Sequence, residues 1–457
     1  MPGPPVKRVA LGRDWTKGNI FHNLLLLSWP MVVSNLLMML GPIIDMIWVG
    51  KLGAASIAGV GVAGIAVQMV MAAMMGLSMG MRAIVARFVG AGDLSGANHV
   101  ARQALVLSAA YAGVMAVIGL YYAEGILSLF GLEADVIAEG AAYMRVMFVG
   151  SAAMAFRMMA EGIMQASGDA MTPMRISVIY RLFHVALDPF LIFGWWLFPR
   201  MGVSGAAMTN VVSQTLGLSL GLWVLFSGRS RLRLTMANFR LDFNVIWRIV
   251  RIGFPALVSG VQRTFSQFFL MLFMAPFGTL AVAAHSINQR VEMVLFMPGM
   301  AFGMASGVLV GQNLGAGRPE RAERSAWLAA GMVEGLLIVV VLAILVWAEG
   351  IVRLFNPEPA LVEIGAIFLR IALVGYTVLG LMMVMMQALS GAGDTVPTMV
   401  ISLVVVWLVT LPLAYFLPRV TELGVFGVRW AMVAGMVVSA LTYTMYFRLG
   451  RWKRKKV

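Results

Sequence analysis

The chain has 457 residues, of which 61% are hydrophobic and 12% are charged, and its formal net charge is +14. A soluble globular domain is about one quarter charged, so this composition excludes a soluble protein and indicates one embedded in a lipid bilayer. The chain contains no cysteine, which excludes disulfides, zinc–cysteine clusters and thiol chemistry.

Twelve mostly apolar segments are each long enough to cross about 30 Å of hydrocarbon as a helix. The first six lie at 25–50, 56–81, 101–122, 139–162, 173–196 and 205–226, and the other six at 253–275, 283–308, 326–347, 364–388, 396–417 and 425–447. The first segment is a full-length span without a small-residue cleavage site, so we expect it to stay as the first helix. The sequence therefore predicts an all-α membrane protein with twelve transmembrane helices.

The two sets of six segments are related in sequence. When the chain is shifted by 225 residues, Pro30 falls on Pro255 and Gly168-Asp169 falls on Gly393-Asp394, without a gap over residues 30–169. In so apolar a chain a duplicated half is typical of a transporter whose substrate path lies between two related bundles. Because each half has an even number of spans, we expect the two six-helix bundles to be related by a pseudo-two-fold axis along the membrane normal.

These patterns predict five parts. They are a cytoplasmic N-terminal segment at 1–24, an N-lobe at 25–226, a cytoplasmic linker at 227–252, a C-lobe at 253–447 and a basic cytoplasmic tail at 448–457. The later part of the linker alternates apolar and polar residues in a way that predicts an interfacial helix joining the lobes.

The distribution of basic residues predicts the orientation in the membrane. With the N-terminus inside, the inner segments carry 23 Lys or Arg residues and the outer loops carry about four. This bias indicates that both termini are cytoplasmic, in a multi-pass protein of the cytoplasmic (inner) membrane. Attraction to anionic lipid of the inner leaflet accounts for the basic loops, so we expect no nucleic-acid partner. We expect a monomer.

Ionisable residues inside the spans are informative because each costs about 2.5–3.5 kcal/mol at the bilayer centre on insertion scales. The acidic candidates are Asp45, Asp188, Glu292 and Glu334. Asp188 lies one turn beyond His184, so the two share a helix face. Asp45 maps onto Leu270 by the 225-residue shift, and Asp188 has no counterpart in span 11. This asymmetry predicts that only the N-lobe handles a coupling ion.

Structural explanations of these carboxylates stay open. An ion pair with a basic residue of the same half would make Asp45 and Asp188 structural, and the candidate partners are Arg145, Arg157 and Arg181. For Glu292 and Glu334 the sequence favours neither a structural nor a functional role.

The order of several motifs resembles the MATE (multidrug and toxic compound extrusion) family. The motifs are Ser28-Trp29-Pro30, Asp45-Met46-Ile47-Trp48-Val49-Gly50-Lys51-Leu52-Gly53, Gln289-Arg290-Val291-Glu292 and Gly311-Gln312-Asn313-Leu314-Gly315-Ala316-Gly317. Leu187-Asp188-Pro189-Phe190, followed by Gly202-x-x-Gly205-Ala206-Ala207, is similar to the prokaryotic DinF-like branch. The resemblance covers about residues 20–448, with all twelve spans in register.

The resemblance implies two six-helix lobes that form a V and export cationic or amphipathic small molecules, driven by H+ or Na+, without a cofactor. It implies that Asp45 and Asp188 are the ion-coupling aspartates of the N-lobe, where a Na+ ion is the alternative to a proton. His184 stands where that branch often has Asn, and Asn210 where it often has Thr. These four residues are the predicted ion-coupling set. His184 could favour a proton, since histidine titrates near neutral pH, or serve only as a hydrogen-bond partner.

The C-lobe carboxylates of the NorM-like branch, in spans 7 and 10, are not evident here. Gln262, Gln267 and Gln387 are the nearest polar residues, which favours coupling in the N-lobe. Polar and adaptable side chains of both halves are the candidates for a substrate cavity, and methionine suits bulky, varied ligands. These cavity candidates are Ser34, Asn35, Met38, Gln262, Glu292 and Gln387.

Two other classes of protein remain as alternatives. A lipid-linked oligosaccharide flippase of the same superfamily would typically carry thirteen or fourteen spans and a more basic central cavity. An intramembrane serine protease is less favoured, because Gly202-Val203-Ser204-Gly205 falls on the outer loop before span 6. The chain has no Walker lysine motif, so ATP is not expected to drive transport directly.

Overall fold

The computed structural model describes residues 13–455 except Phe130, Leu132 and Asn238. Residues 1–12 of the N-terminal segment and 456–457 of the basic tail therefore lie outside the described residues, with Lys7, Arg8 and Lys456 among them. All regular secondary structure in the described part is helical.

The first half consists of seven helices. They are α1 (Ile20–Val49), α2 (Ala54–Gly90), α3 (Leu94–Ser128), α4 (Ala134–Val149), α5 (Ser151–Ser167), α6 (Met171–Phe193) and α7 (Gly202–Ser227). Helices α4 and α5 meet at Gly150 with a bend of 45° and together occupy the fourth predicted span.

The second half consists of eight helices. They are α8 (Phe243–Met274), α9 (Thr279–Gly315), α10 (Pro319–Phe355), α11 (Pro359–Tyr376), α12 (Leu379–Gly391), α13 (Thr395–Val404), α14 (Leu411–Val420) and α15 (Val425–Arg448). A π-helical segment, Val405–Thr410, joins α13 to α14, so residues 395–420 run as one span.

The described residues contain eleven helices that are long and apolar enough to cross a bilayer, and twelve when the α4–α5 pair counts as one span. The prediction of twelve spans is confirmed. The helices extend beyond the predicted apolar runs: α2 has 37 residues, or about 55 Å at 1.5 Å per residue. This length exceeds the hydrocarbon thickness, so the ends of the longest helices project past it.

The linker differs from the expectation of a separate interfacial helix. Of its described residues, 228–242 are not helical, and residues from Phe243 onward form the first turns of α8. The amphipathic pattern in the sequence is therefore the exposed start of a transmembrane helix. Asp242 begins this helix by accepting the backbone N–H of Asn244, and His99 lies 3.0 Å from its carboxylate. The contact with His99 lowers the pKa of the Asp242 carboxyl.

The backbone repeats the 225-residue shift. Glycines with left-handed φ end or begin helices at equivalent positions of the two halves: Gly53 and Gly278, Gly92 and Gly317, and Gly168 and Gly393. Pro30 and Pro255 both lie inside their helices, as expected from the repeat. In each case the serine four residues later donates its hydroxyl to the proline carbonyl, Ser34 at 3.0 Å and Ser259 at 2.9 Å.

The contacts between the halves obey a local pseudo-two-fold relation. Arg87 at the end of α2 donates to the Ala392 carbonyl at 2.8 Å, and Gln312, its counterpart on α9, donates at the same distance to the Ala166 carbonyl, one residue before the counterpart of Ala392. A Cβ on Gly90 would overlap the Gln312 carbonyl, and a Cβ on Gly315 would overlap the Arg87 carbonyl. A contact that is repeated with its partners exchanged indicates a two-fold axis that passes between α2 and α9.

Each half also begins its first helix inside the other half. The start of α1 contributes Leu24, Leu27 and Met31 to the core of the second half. The start of α8 contributes Ile249 and Ile252 to a core of the first half. The two halves are therefore interlocked at the end of the molecule that carries the linker and the basic tail, hereafter the basic end.

The segment before α1 strengthens this closure. Arg318 and Arg321, at the α9–α10 turn, donate to the carbonyls of Thr16 (2.7 Å), Lys17 (3.0 Å) and Gly18 (2.7 Å). Residues 13–18 therefore connect the start of α1 to the second half.

The glycine contacts at the basic end predict a stability effect. We expect Gly90→Ala and Gly315→Ala each to lower the free energy of unfolding by about 1–3 kcal/mol, because the added methyl group meets a backbone carbonyl that cannot rotate away. Thermal unfolding of the protein in detergent measures the effect. Gly61→Ala, on α2 with no atom within 4 Å of its Cβ, is the control. Equal stability of the Gly90 and Gly61 variants would contradict close packing at this contact.

Candidate functional site

Three ionisable side chains meet between α1 and α6. His184 places Nε2 3.2 Å from Asp45 Oδ1 and Nδ1 3.9 Å from Asp188 Oδ2. The ligand atoms of the three residues all lie within 4.8 Å of one another. Asp45 is 3% exposed and the other two are 0% exposed, so all three side chains are buried. The structure thus brings together three of the four residues of the predicted ion-coupling set.

Gly41 on α1 lies against the Arg181 side chain of α6. A Cβ at Gly41 would overlap the Arg181 guanidinium, so a larger residue would displace this cation from its place beside the cluster. Arg181 Nη1 lies 3.3 Å from His184 Nδ1. Because a guanidinium can only donate, Nδ1 must accept, and the neutral imidazole carries its hydrogen on Nε2. Histidine in this tautomer presents an N–H towards Asp45.

The carboxylate atoms of the cluster lack hydrogen bonds. Both oxygens of Asp188 are buried without a partner, and Asp45 Oδ1 and His184 Nε2 approach each other without hydrogen-bonding alignment. Thr209 on α7 is close enough to Asp188 to be a potential donor, but the described hydrogen bond of its hydroxyl goes to the Gly205 carbonyl at 2.9 Å. A buried carboxylate with no donor is costly, because the lost hydration is not replaced. Either a proton on one carboxyl or a bound cation removes this cost.

The two candidate cations fit the donor set differently. Two carboxylates and a hydroxyl suit Na+, since alkali and alkaline-earth ions prefer oxygen ligands. The third nearby group is an imidazole, and Arg181 behind it supplies a fixed positive charge. This charge opposes a second cation and already offsets one of the two carboxylates. The oxygen ligands thus suit Na+, whereas the positive charge of Arg181 counts against a second cation beside the cluster.

Asn210 does not face this cluster in the way that we expected. Its side-chain oxygen accepts from Gln214 at 3.4 Å, and both residues line a cavity of about 10 Å³ at the α4–α5 bend, which is room for one water molecule. Successive residues of a helix point about 100° apart, and it is the preceding residue, Thr209, that lies near Asp188. No described hydrogen bond joins Asn210 to the cluster, and its part in ion coupling stays a prediction.

Two of the three arginines that could have formed an ion pair with Asp45 or Asp188 have other partners. Arg145 pairs with Glu124 at 2.7 Å, and Arg157 pairs with Glu161 on the same helix. Neither arginine pairs with Asp45 or Asp188. Arg181 is the remaining basic neighbour, and it contacts His184 rather than either carboxylate in the described hydrogen bonds.

The candidates for a substrate cavity have varied environments. Ser34 donates to its own helix, the amide nitrogen of Asn35 is buried without a partner, and Met38 is half-buried on the same helix. Gln262 donates to Ser402 at 2.6 Å, and Gln387 packs against Gly303. Gln387 therefore has a structural contact, whereas Asn35 Nδ2 and Gln262 Oε1 are buried polar atoms without a hydrogen-bond partner among the described residues.

Glu292 belongs to a second buried polar cluster, in the C-lobe. Its carboxylate lies near Arg263 and Arg429. Arg429 is 2% exposed and contacts His285 Nδ1 at 3.4 Å and Asn288 Oδ1 at 3.2 Å. Glu292 was identified from the sequence but the polar residues around it were not, because the central residue of the cluster is a basic one, Arg429. An arginine within the twelfth apolar run was the available signal.

Glu334 makes a structural contact through one of its two carboxylate oxygens, and the other oxygen is buried without a partner. Its Oε2 accepts the backbone N–H of Leu381 at 3.0 Å, in the first turn of α12. The break between α11 and α12 exposes such donors inside the membrane, and a carboxylate from α10 satisfies them.

Comparisons with known proteins agree with the fold. A family model described as MatE matches residues 30–190 and 255–416, two stretches that begin 225 residues apart, like the internal repeat. "Probable multidrug resistance protein NorM" of Thermotoga maritima is 26% identical over 442 residues, covering 96% of this chain and 94% of the relative. An "FAD transporter" of Shewanella oneidensis is 25% identical over 393 residues, covering 86% of each chain.

Solved structures have the same fold. The outward-facing structure of a multidrug resistance MATE family transporter superposes with a TM-score of 0.90 at 24% identity, covering 97% of this chain and 98% of that one. A MATE structure in a bent conformation also gives 0.90 at 24% identity, covering 95% and 96%.

The unsatisfied state of Asp188 predicts an unusual mutational effect. We expect Asp188→Asn to be at least as stable as the wild type, because it removes a buried carboxylate that has no partner. Glu161→Gln is the matched control, since it breaks the buried pair with Arg157 and should cost about 3–5 kcal/mol. Unfolding in detergent compares the two. Loss of stability by Asp188→Asn as large as that of Glu161→Gln would show that Asp188 is structural.

Proposed function

Because this chain belongs to the MATE family, and is therefore a multi-pass membrane transporter rather than an enzyme, we propose that it is a secondary antiporter that exports cationic or amphipathic small molecules in exchange for protons. The observation that carries this proposal is the Asp188 carboxylate, which is fully buried without a hydrogen bond beside Asp45 and His184. Such a group needs a cation, and a transporter can exchange that cation for substrate.

The charges of the cluster suggest one proton per cycle. Two carboxylates stand against one guanidinium, so a single added proton makes the group neutral when His184 is neutral. The tautomer set by Arg181 directs the imidazole N–H towards Asp45, and Asp188, whose two oxygens have no donor, is then the carboxyl that takes the proton. The alternative is a Na+ ion at Asp45 and Asp188, and a transport experiment with separate pH and Na+ gradients distinguishes the two ions.

Helix α1 is suited to connect proton binding to lobe movement. Its start lies in the core of the second half through Leu24 and Leu27, and Asp45 near its other end lies in the cluster. Pro30 and Pro42 interrupt its hydrogen-bond ladder between these two regions. We propose that neutralisation of the cluster lets this helix repack on α6, which changes the contacts between lobes and displaces the substrate.

The proposed orientation places the interlocked basic end in the cytoplasm, as the positive-inside rule favours. The described contacts between lobes at α2, α8 and α9 would then close the cytoplasmic side, as in an outward-facing state. A proton entering from outside would reach the cluster in this state.

A single proton supplies enough energy for useful export. One charge that moves inward through about 150 mV releases about 3.5 kcal/mol. At 1.4 kcal/mol per tenfold change, this supports a gradient of about a few hundred-fold for a neutral substrate. One-for-one exchange with a monovalent cation cancels the voltage term and depends on the pH gradient alone.

The substrate class rests on chemistry and on relatives. An acidic cluster in an apolar, methionine-rich protein favours cationic or amphipathic compounds over anions. Twelve spans favour an exporter over a flippase of the same superfamily.

Transport by aspartate variants tests the proposal. We expect Asp45→Asn and Asp188→Asn to abolish ethidium efflux from proteoliposomes driven by a pH gradient, because neither variant can release the proton in exchange. Glu334→Gln is the control, since the amide can still accept the N–H of Leu381, and it should retain transport. The pH and Na+ gradients are imposed one at a time. Gradient-driven efflux by both aspartate variants would refute the mechanism, and efflux driven only by Na+ would identify Na+ as the ion.

The absence of cysteine allows a direct test of orientation. We expect Arg240→Cys, at the basic end, to react with a membrane-impermeant maleimide only after the cells are opened. Lys51→Cys, in the turn after α1, should react in intact cells. The reverse pattern would place the basic end outside and contradict the proposed direction of transport.

A further inference from the structure

The basic end contains a cavity of about 290 Å³ that the proposed transport cycle does not use. It lies between the start of α8, the turn from α12 to α13, and the C-terminal tail. Arg248 and Arg251 line it from α8, Lys455 from the tail, and Thr395 and Val396 from the first turn of α13.

The cavity has an excess of positive charge. Arg248 and Arg251 are one turn apart on the same face of α8, both are exposed, and neither forms an ion pair with a described residue. Lys455 lies 3.2 Å from Asp394, whose other oxygen accepts from the Tyr446 hydroxyl at 2.7 Å. The cavity thus has three cationic side chains and one carboxylate, which already contacts Lys455. Two positive charges remain for a ligand.

The first turn of α13 adds backbone donors to this charge. Asp394 precedes it, but its side chain makes no hydrogen bond to the N–H groups of that turn. The equivalent residue of the first half, Asp169, does cap its helix, through the N–H of Thr172 at 3.0 Å. The first turn of α13, whose residues Thr395 and Val396 line the cavity, therefore has no side-chain cap.

The first half shows what occupies the equivalent place. Asn23, the counterpart of Arg248, donates to the carbonyls of Trp15 at 3.4 Å and Lys17 at 2.9 Å. The Trp15 indole packs on Gly168, the counterpart of Gly393, and is only 7% exposed. The chain itself thus fills this position in the first half, with an apolar ring and neutral donors. In the second half, the positions of Asn23 and Leu26 are arginines and the space is open.

We propose that this cavity binds the phosphate group of an anionic phospholipid headgroup. Two arginines and a helix N-terminus are the donors that phosphate oxygens prefer. Trp247 and Phe243 lie beside Arg248 on α8, 65% and 72% exposed, as expected of a helix start at the membrane surface. This position favours a lipid over a soluble phosphate compound.

A bound headgroup would also stabilise the interlocked basic end. The Thr395 hydroxyl already donates to the Ile252 carbonyl at 2.7 Å, which ties the start of α13 to that of α8. Ile252 in turn packs in a core of the first half. A phosphate that bridges α8 and α13 adds to this connection.

Lipid binding to the full-length protein in detergent tests the proposal, by native mass spectrometry with phosphatidylglycerol and with phosphatidylcholine. We expect the wild type to prefer phosphatidylglycerol. Arg248→Gln/Arg251→Gln should bind it about tenfold more weakly, since two charge-assisted contacts are lost. Arg240→Gln/Arg324→Gln is the control, because it removes the same charge from exposed residues outside the cavity and should bind like the wild type.

A second variant distinguishes binding inside the cavity from general electrostatic attraction of anionic lipid to the basic end. Val396→Trp keeps all three cations but fills the space as Trp15 does in the first half, and it should also weaken phosphatidylglycerol binding. Equal losses in the two double variants, or full binding by Val396→Trp, would overturn the proposal. Inorganic phosphate, added without lipid, tests whether the ligand is a lipid headgroup or a soluble phosphate compound. Phosphate binding that needs Arg248 and Arg251, without preference for phosphatidylglycerol, would overturn the lipid assignment in favour of a soluble phosphate ligand.

Discussion

A carboxylate that is removed from water must receive a proton, a cation or several donors, and Asp188 receives no hydrogen bond from the described residues. The side chains around Asp188 can be understood from this constraint. Gly41 lets α1 approach the Arg181 side chain, Arg181 sets the tautomer of His184, and His184 turns its N–H to Asp45. The result is a site short of one positive charge. The same helix that carries Asp45 begins in the other half of the molecule, so occupancy of the site and packing between lobes share one element.

The two halves share the same backbone scaffold but differ in their buried ionisable residues. Equivalent glycines turn the chain at the same points, and Arg87 and Gln312 make equivalent contacts across the pseudo-two-fold axis. The carboxyl cluster has no copy, since Asp45 corresponds to Leu270. The C-lobe instead buries Arg429 with His285 and Asn288. A repeated fold can thus hold an ion site in one half while the other half acquires different polar groups.

Much of the fold could be predicted from the sequence, because long apolar runs and a gap-free repeat are strong signals. The number of spans and the positions of Pro30 and Pro255 were predicted. Details that depend on helix rotation or distant partners were not. Thr209 rather than Asn210 faces Asp188, which is a difference of about 100° around α7. The fit of Trp15 on Gly168 joins residues far apart in the chain, and no local pattern predicts it. The helix predicted in the later part of the linker is the start of α8, because an amphipathic pattern does not show where a membrane helix begins.

The central claim is that substrate and a proton compete through Asp188. The most direct test is proton release by the purified protein in weakly buffered, Na+-free detergent solution as it binds ethidium, with binding followed by fluorescence polarisation. Our account predicts that the wild type releases about one proton per dye bound, and that Asp188→Asn binds the dye without releasing a proton. Undiminished release by Asp188→Asn, or binding by the wild type without release at any pH, would contradict it.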